Sequence, residues 1–208
     1  MKVIKTIVIL LVGFISITYA EKPYRVGTTA ANFLEIGFGS AGNAMGDAYV
    51  SVTRDLSSLY WNPAGLAFMK QNEAQFVYQP WIADINTFFT GVGLVFPRLG
   101  TFSLGIIHVG YGDMEVTTIE MQDGTGEIFS ANDLAISFSF GRRLAQWFAF
   151  GASAKFVSSK IWHLTANAMA IDLGVIVNTN FFSPTGKRED GLNIGMSISN
   201  YGTKMRYG

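Results

Sequence analysis

From about residue 73 onward the chain alternates large apolar and small residues with a period of two, in seven successive segments: 73–82, 86–96, 100–111, 132–142, 147–159, 168–179 and 191–201. A period of two sends successive side chains to opposite faces of a pleated strand, so each segment reads as a two-faced β-strand. Leu134, Ile136, Phe138 and Phe140 share one face, with Ala135, Ser137, Ser139 and Gly141 on the other. Phe148, Phe150, Ala152, Ala154 and Phe156 likewise oppose Ala149, Gly151, Ser153 and Lys155. Met169, Ile171, Leu173, Val175 and Val177 oppose Ala170, Asp172, Gly174 and Asn178, and Leu192, Ile194, Met196 and Ile198 oppose Asn193, Gly195, Ser197 and Ser199. Each segment is close to the ~9–11 residues a tilted strand needs to cross a bilayer.

The second face decides between two architectures. A water-soluble sandwich turns its large apolar residues inward and carries charge outside. Here the second face is Gly, Ala, Ser and Asn, almost without Lys or Glu. Small, mildly polar residues suit a lumen that must hold a folded segment, and the apolar face then meets lipid. The expected fold is all-β, an antiparallel transmembrane barrel. Composition agrees: 49% hydrophobic, 14% aromatic, only 14% charged, and 23 glycines in 208 residues. No stretch after residue 20 approaches the ~20 apolar residues of a membrane helix. With no cysteine there is no disulfide framework. Without Lys2 and Lys5 the chain keeps 13 basic and 15 acidic residues, so it has no nucleic-acid footprint.

Residues 1–20 read as a cleaved signal peptide. Lys2 and Lys5 precede an apolar run from Ile7 to Ile17, and Thr18-Tyr19-Ala20 offers small residues to signal peptidase, placing cleavage after Ala20. Residues 21–70 then form a plug segment, and residues 71–208 the strands. The plug breaks the alternation. Gly37, Gly39, Gly42, Ala44, Gly46 and Ala48 are interleaved with Phe33, Leu34, Ile36, Phe38, Met45 and Tyr49. Asn62-Pro63 is a helix-start signal, with Asn as cap and Pro at the first helical position.

The run FLEIGFGSAGNAMGDAYVSVTRDLSSLYWNPAGLA, Phe33 to Ala67, resembles the N-terminal signature of the PorV/PorQ branch of the FadL-like outer-membrane proteins. GLNIGMSISNYGTKMRY, Gly191 to Tyr207, is similar to a recurrent strand of the same family. The resemblance implies a bacterial outer-membrane barrel with an N-terminal hatch inside it. Trp61, Asn62, Pro63, Ala64 and Gly65 fall on the hatch motif. It also implies barrels about twice this long, so the chain is expected to be a hatch plus the first half of a 14-strand barrel. The PorV/PorQ branch implies type IX protein secretion through contacts with secretion-system proteins or secreted cargo. The FadL branch implies uptake of hydrophobic small molecules. A structural or surface-antigen barrel is the third reading.

Pro97–Gly100 and Arg142–Gln146 read as short periplasmic turns, with Asn180–Asp190 a longer one. The acidic stretch Gly110–Ala131 and the Ser159–Asn167 connection fall on the outer side. Trp81, Trp147, Trp162, Tyr78 and Tyr111 stand near strand ends, where interfacial aromatic girdles belong. Catalytic chemistry has no visible carrier. Gly124-x-Gly126 lies in an acidic loop, Ser57-Ser58 lacks a nucleophile-elbow context, and His108 and His163 have no ligand-spaced partner. The chain reads as a non-enzyme with no metal and no cofactor, in contact with outer-membrane lipid. Asp47, Arg54 and Asp55 either hold the plug by ion pairs or form a solvated surface. Lys155 and Asp172 are the only charges on the small-residue faces of their strands. A hairpin turning near 163 to 164 pairs 155 with 172, 153 with 174 and 151 with 176, making a lumen ion pair worth about 0.2–1 kcal/mol.

Overall fold

The structure is a computed structural model that describes residues 30–208. The leader expected over 1–20 and the start of the plug lie outside the described residues. Seven strands follow the plug: β1 (Glu73–Pro80), β2 (Asn86–Phe96), β3 (Gly100–Glu115), β4 (Ile128–Ala145), β5 (Phe148–Ile161), β6 (Leu164–Asn178) and β7 (Asn193–Gly202). They form one antiparallel meander in the order β1 to β7. β1 and β7 are not paired with each other, so the described strands make an open sheet rather than a closed barrel.

The alternation read from sequence sets the two faces. Ser139 and Ala149 are 0% exposed and Asp172 1%, whereas Phe138 is 53%, Met169 67% and Met196 64% exposed. The covered face is the one carrying small residues, and the plug is what covers it. The large apolar face stands open.

The ladders run further than the apolar pattern. Beyond a bulge between Gly110 and Asp113, Met114 still pairs with Phe129 and Glu115 with Ile128. The acidic stretch Gly110–Ala131 is therefore strand at both ends, and its connection shrinks to residues 116–127. Backbone pairing needs no apolar side chain, so β3 and β4 continue after their hydrophobic band ends. The connection itself is pinned by the Val116 N–H donating to the Glu127 carbonyl at 2.9 Å and the Thr125 N–H to the Val116 carbonyl at 2.8 Å. Ser159–Asn167 contracts in the same way. Ile161 pairs with Leu164, leaving Trp162 and His163 as the turn, with Trp162 at φ 54°.

The plug is built of short pieces: 3-10 turns at Asn32–Glu35 and Pro63–Phe68, and helical turns at Ser40–Ala44 and Ser58–Trp61. None is long enough to be stable alone. Phe33, Leu34, Phe38, Leu56, Leu59, Leu66 and Met69 of the plug bury themselves with Phe89, Ile107, Val109, Ala135 and Val157 of the sheet. At ~1.5–3 kcal/mol for each large side chain buried, this shared core is what orders the segment.

Candidate functional site

The plug rests on a lateral track of glycine. Gly141 of β4 pairs with Gly151 of β5, and Gly151 with Gly174 of β6. Their missing side chains leave room for Asn62-Pro63-Ala64. A Cβ on Gly151 would meet the Pro63 carbonyl carbon and the Ala64 nitrogen, and one on Gly174 the Asn62 amide oxygen. A Cβ on Gly141 would come within 2.7 Å of the Pro63 oxygen, and on Gly195 within 2.5 Å of the Ser51 Cα. Towards β3, Gly105 seats Leu59 in the same manner.

Asn62 is fully buried and joins three parts of the molecule. Its Oδ1 accepts from the Ala64 N–H at 3.1 Å, capping the turn that Pro63 starts. Its Nδ2 donates to the Val50 carbonyl at 2.9 Å and to the Val175 carbonyl at 3.2 Å, the first in the plug and the second on β6. Trp61 is 8% exposed and donates from Nε1 to the Phe38 carbonyl at 3.1 Å, with Gly42 flat under its indole. Gly65 is held against the Thr53 carbonyl, where a Cβ would sit at 2.6 Å. Tyr60 donates to the Leu34 carbonyl at 3.0 Å. Burial first, then Asp47 and Glu35, pushes its phenol up, so it remains a neutral donor.

Beside the glycine track lies a charged cluster. Lys155 Nζ is 2.8 Å from Asp172 Oδ2, and the two side chains are only 3% and 1% exposed. Lys155 also donates to Asn200 Oδ1 at 2.9 Å, and the Asn200 N–H donates to Asp172 Oδ1 at 2.7 Å. Asn200 can do both because β7 bulges there: Ile171 pairs with Tyr201 but Leu173 with Ile198, and Asn200 adopts φ 58°. Asparagine tolerates that left-handed conformation better than most residues.

The family model described as type IX secretion system protein PorV matches residues 19–208. The chain belongs to the PorV family. No curated protein shows significant similarity to it.

Within this PorV-family chain the pairing around Lys155 differs from the sequence reading. Lys155 pairs with Ala170, Ser153 with Asp172 and Gly151 with Gly174, a shift of two residues. The cause is the Trp162-His163 turn, which centres the hairpin one residue earlier. A shift of two preserves the faces, so Lys155 reaches Asp172 diagonally. Asn200 and its bulge carried no signal beyond asparagine's tolerance of positive φ.

Among the described side chains Arg54, Asp47 and Asp55 form no ion pair, and the one ion pair is Lys155–Asp172. Arg54 instead lies over the Phe68 ring, 5.2 Å from its centroid, and Asp55 accepts from the Ser57 N–H at 2.9 Å. Tyr111 points into the covered face of the PorV-family sheet and donates to Asp133, so it is not a rim aromatic. Tyr78, Trp81, Trp147 and Trp162 are exposed. His108 stands beside Phe88, and His163 beside Trp162.

Proposed function

We propose that this chain is the hatch and part of the wall of an outer-membrane β-barrel, and that it serves type IX secretion through protein contacts rather than by catalysis. The observation that carries this reading is the division of apolar surface. One face of the sheet is sealed by the hatch, while Phe138, Met169, Leu173, Met196 and Ile198 stand open on the other in one band. A contiguous apolar surface of that kind marks contact with lipid. Further strands beyond β7 and β1 complete the wall, because an unpaired edge in lipid leaves each backbone group short of a partner at several kcal/mol. Protein contact is supported at the acidic end of the sheet, where Ile119 is 94% and Met121 56% exposed on the 116–127 connection. Exposed apolar side chains on a polar loop suit a partner surface.

The test is a strain lacking the gene, complemented by the wild-type protein or by one with a photo-crosslinking residue at position 119. Loss of type IX cargo from the medium without the gene, and a crosslink from 119 to cargo or to another secretion component, is the expected result. Normal cargo release in the deletion strain would sink the proposal. So would a defect confined to uptake of a hydrophobic small molecule.

A further inference from the structure

We infer that the hatch and the loop ends beside it form a docking basin for a carboxylate-rich peptide. At the end of the sheet opposite the acidic connection, a basin of about 1040 Å³ opens between the hatch, the end of β4 and the 179–192 connection. Five cations line it, Arg54, Lys70, Arg143, Lys187 and Arg188, with Glu73 the one carboxylate among the described side chains of the lining. That carboxylate is already used, accepting from the Leu56 N–H at 3.0 Å. Among the described side chains none of the five cations is in an ion pair, Lys155–Asp172 being the one such pair.

The floor of the basin is Phe68, 8% exposed, with two guanidiniums over its ring: Arg54 at 5.2 Å and Arg143 at 4.6 Å from the centroid. The ring attracts both cations, but two like charges over one ring repel. An anion within reach of both offsets that repulsion, and each guanidinium fork matches a carboxylate in bidentate geometry. Asn178 adds a second, independent feature. It is 5% exposed and lines the basin, and its side-chain Oδ1, buried without a hydrogen-bond partner, is an acceptor for a peptide N–H rather than for a carboxylate.

The shape selects the kind of anion. The cations are spread over three parts of the chain, and the basin is at the upper end of the ~300–1,000 Å³ typical of ligand pockets, which exceeds the need of one phosphate. Arg143 pairs with Ala149 of the covered face, and Asn178 is buried on the same side. The basin therefore opens from the hatch side, away from the apolar face that lipid headgroups would border. Several carboxylates along one peptide fit five separated cations. The inference does not depend on the secretion role.

The experiment is fluorescence anisotropy with the full-length protein in neutral detergent micelles. The probes are labelled octaglutamate and octaglutamine, with phosphatidylglycerol vesicles as the lipid arm. The basin variant is Lys187→Glu/Arg188→Glu, on an exposed connection. The charge-matched control is Arg98→Glu/Arg142→Glu, both exposed and outside the basin. Octaglutamate should bind at least tenfold more tightly than octaglutamine. The basin variant should lose at least tenfold in octaglutamate affinity, and the control less than twofold. Equal losses in both variants would mean net charge alone and overturn the inference. Equal binding of the two peptides would overturn it too, as would a basin-variant defect seen only with the vesicles.

Discussion

Lys155 and Asp172 sit beneath the hatch with their charges satisfied by each other and by Asn200. Out of reach of water, such a pair contributes little net stability against an apolar replacement, but half of it is costly. Lys155→Met leaves the Asp172 carboxylate buried and unpaired, and should cost about 3–5 kcal/mol. Lys155→Met/Asp172→Leu should recover most of that loss. Guanidinium unfolding of the refolded protein measures both; equal destabilisation by the single and double variants would show that the pair is not coupled. At this scale the sequence was informative about identity and silent about partners. The isolation of two opposite charges on small-residue faces was visible. Asn200, which bonds to both, lay hidden because a bulge depends on pairing, not on local propensity.

Gly141, Gly151 and Gly174 act together as one element, since the hatch turn lies across three strands at once. Gly151→Phe should drive Asn62-Pro63-Ala64 off the sheet and expose bonds between Asn32 and Ala67 to protease. Ala152→Phe, one residue along and on the open face, should leave the hatch protected. Unchanged protection in Gly151→Phe would overturn the seating. The strands themselves were legible, because the period of two is a direct image of the pleat. Their ends were not. β3 and β4 run on through Asp113–Glu115 and Ile128–Ser130, where the regular alternation of large apolar and small residues has lapsed. The Trp162-His163 turn lacks the Gly or Asn that would have announced it, which is why the β5–β6 register was misplaced by two. Asn62 was readable as a cap; its bonds to Val50 and Val175 were not, as nothing local encodes a contact 113 residues away.

For the whole molecule the open apolar face makes the strongest demand. Phe138 lies mid-strand on β4, and Phe138→Arg should cost about 2–4 kcal/mol of bilayer stability if that face meets the membrane midplane. Liposome insertion should fall accordingly, while Ile119→Arg on the connection should insert normally. An unimpaired Phe138→Arg protein would place that face in water. The Asn62–Val175 bond also imposes a sequence of events. The meander pairs only neighbouring strands, so its hairpins can zip one after another as the chain arrives, with short loops to close. The glycine track is unfinished until β6 lies beside β5, and the hatch, although first of the described segments, has nowhere complete to rest before then. A hatch seated on the whole track thus reports that β4, β5 and β6 have already found their order.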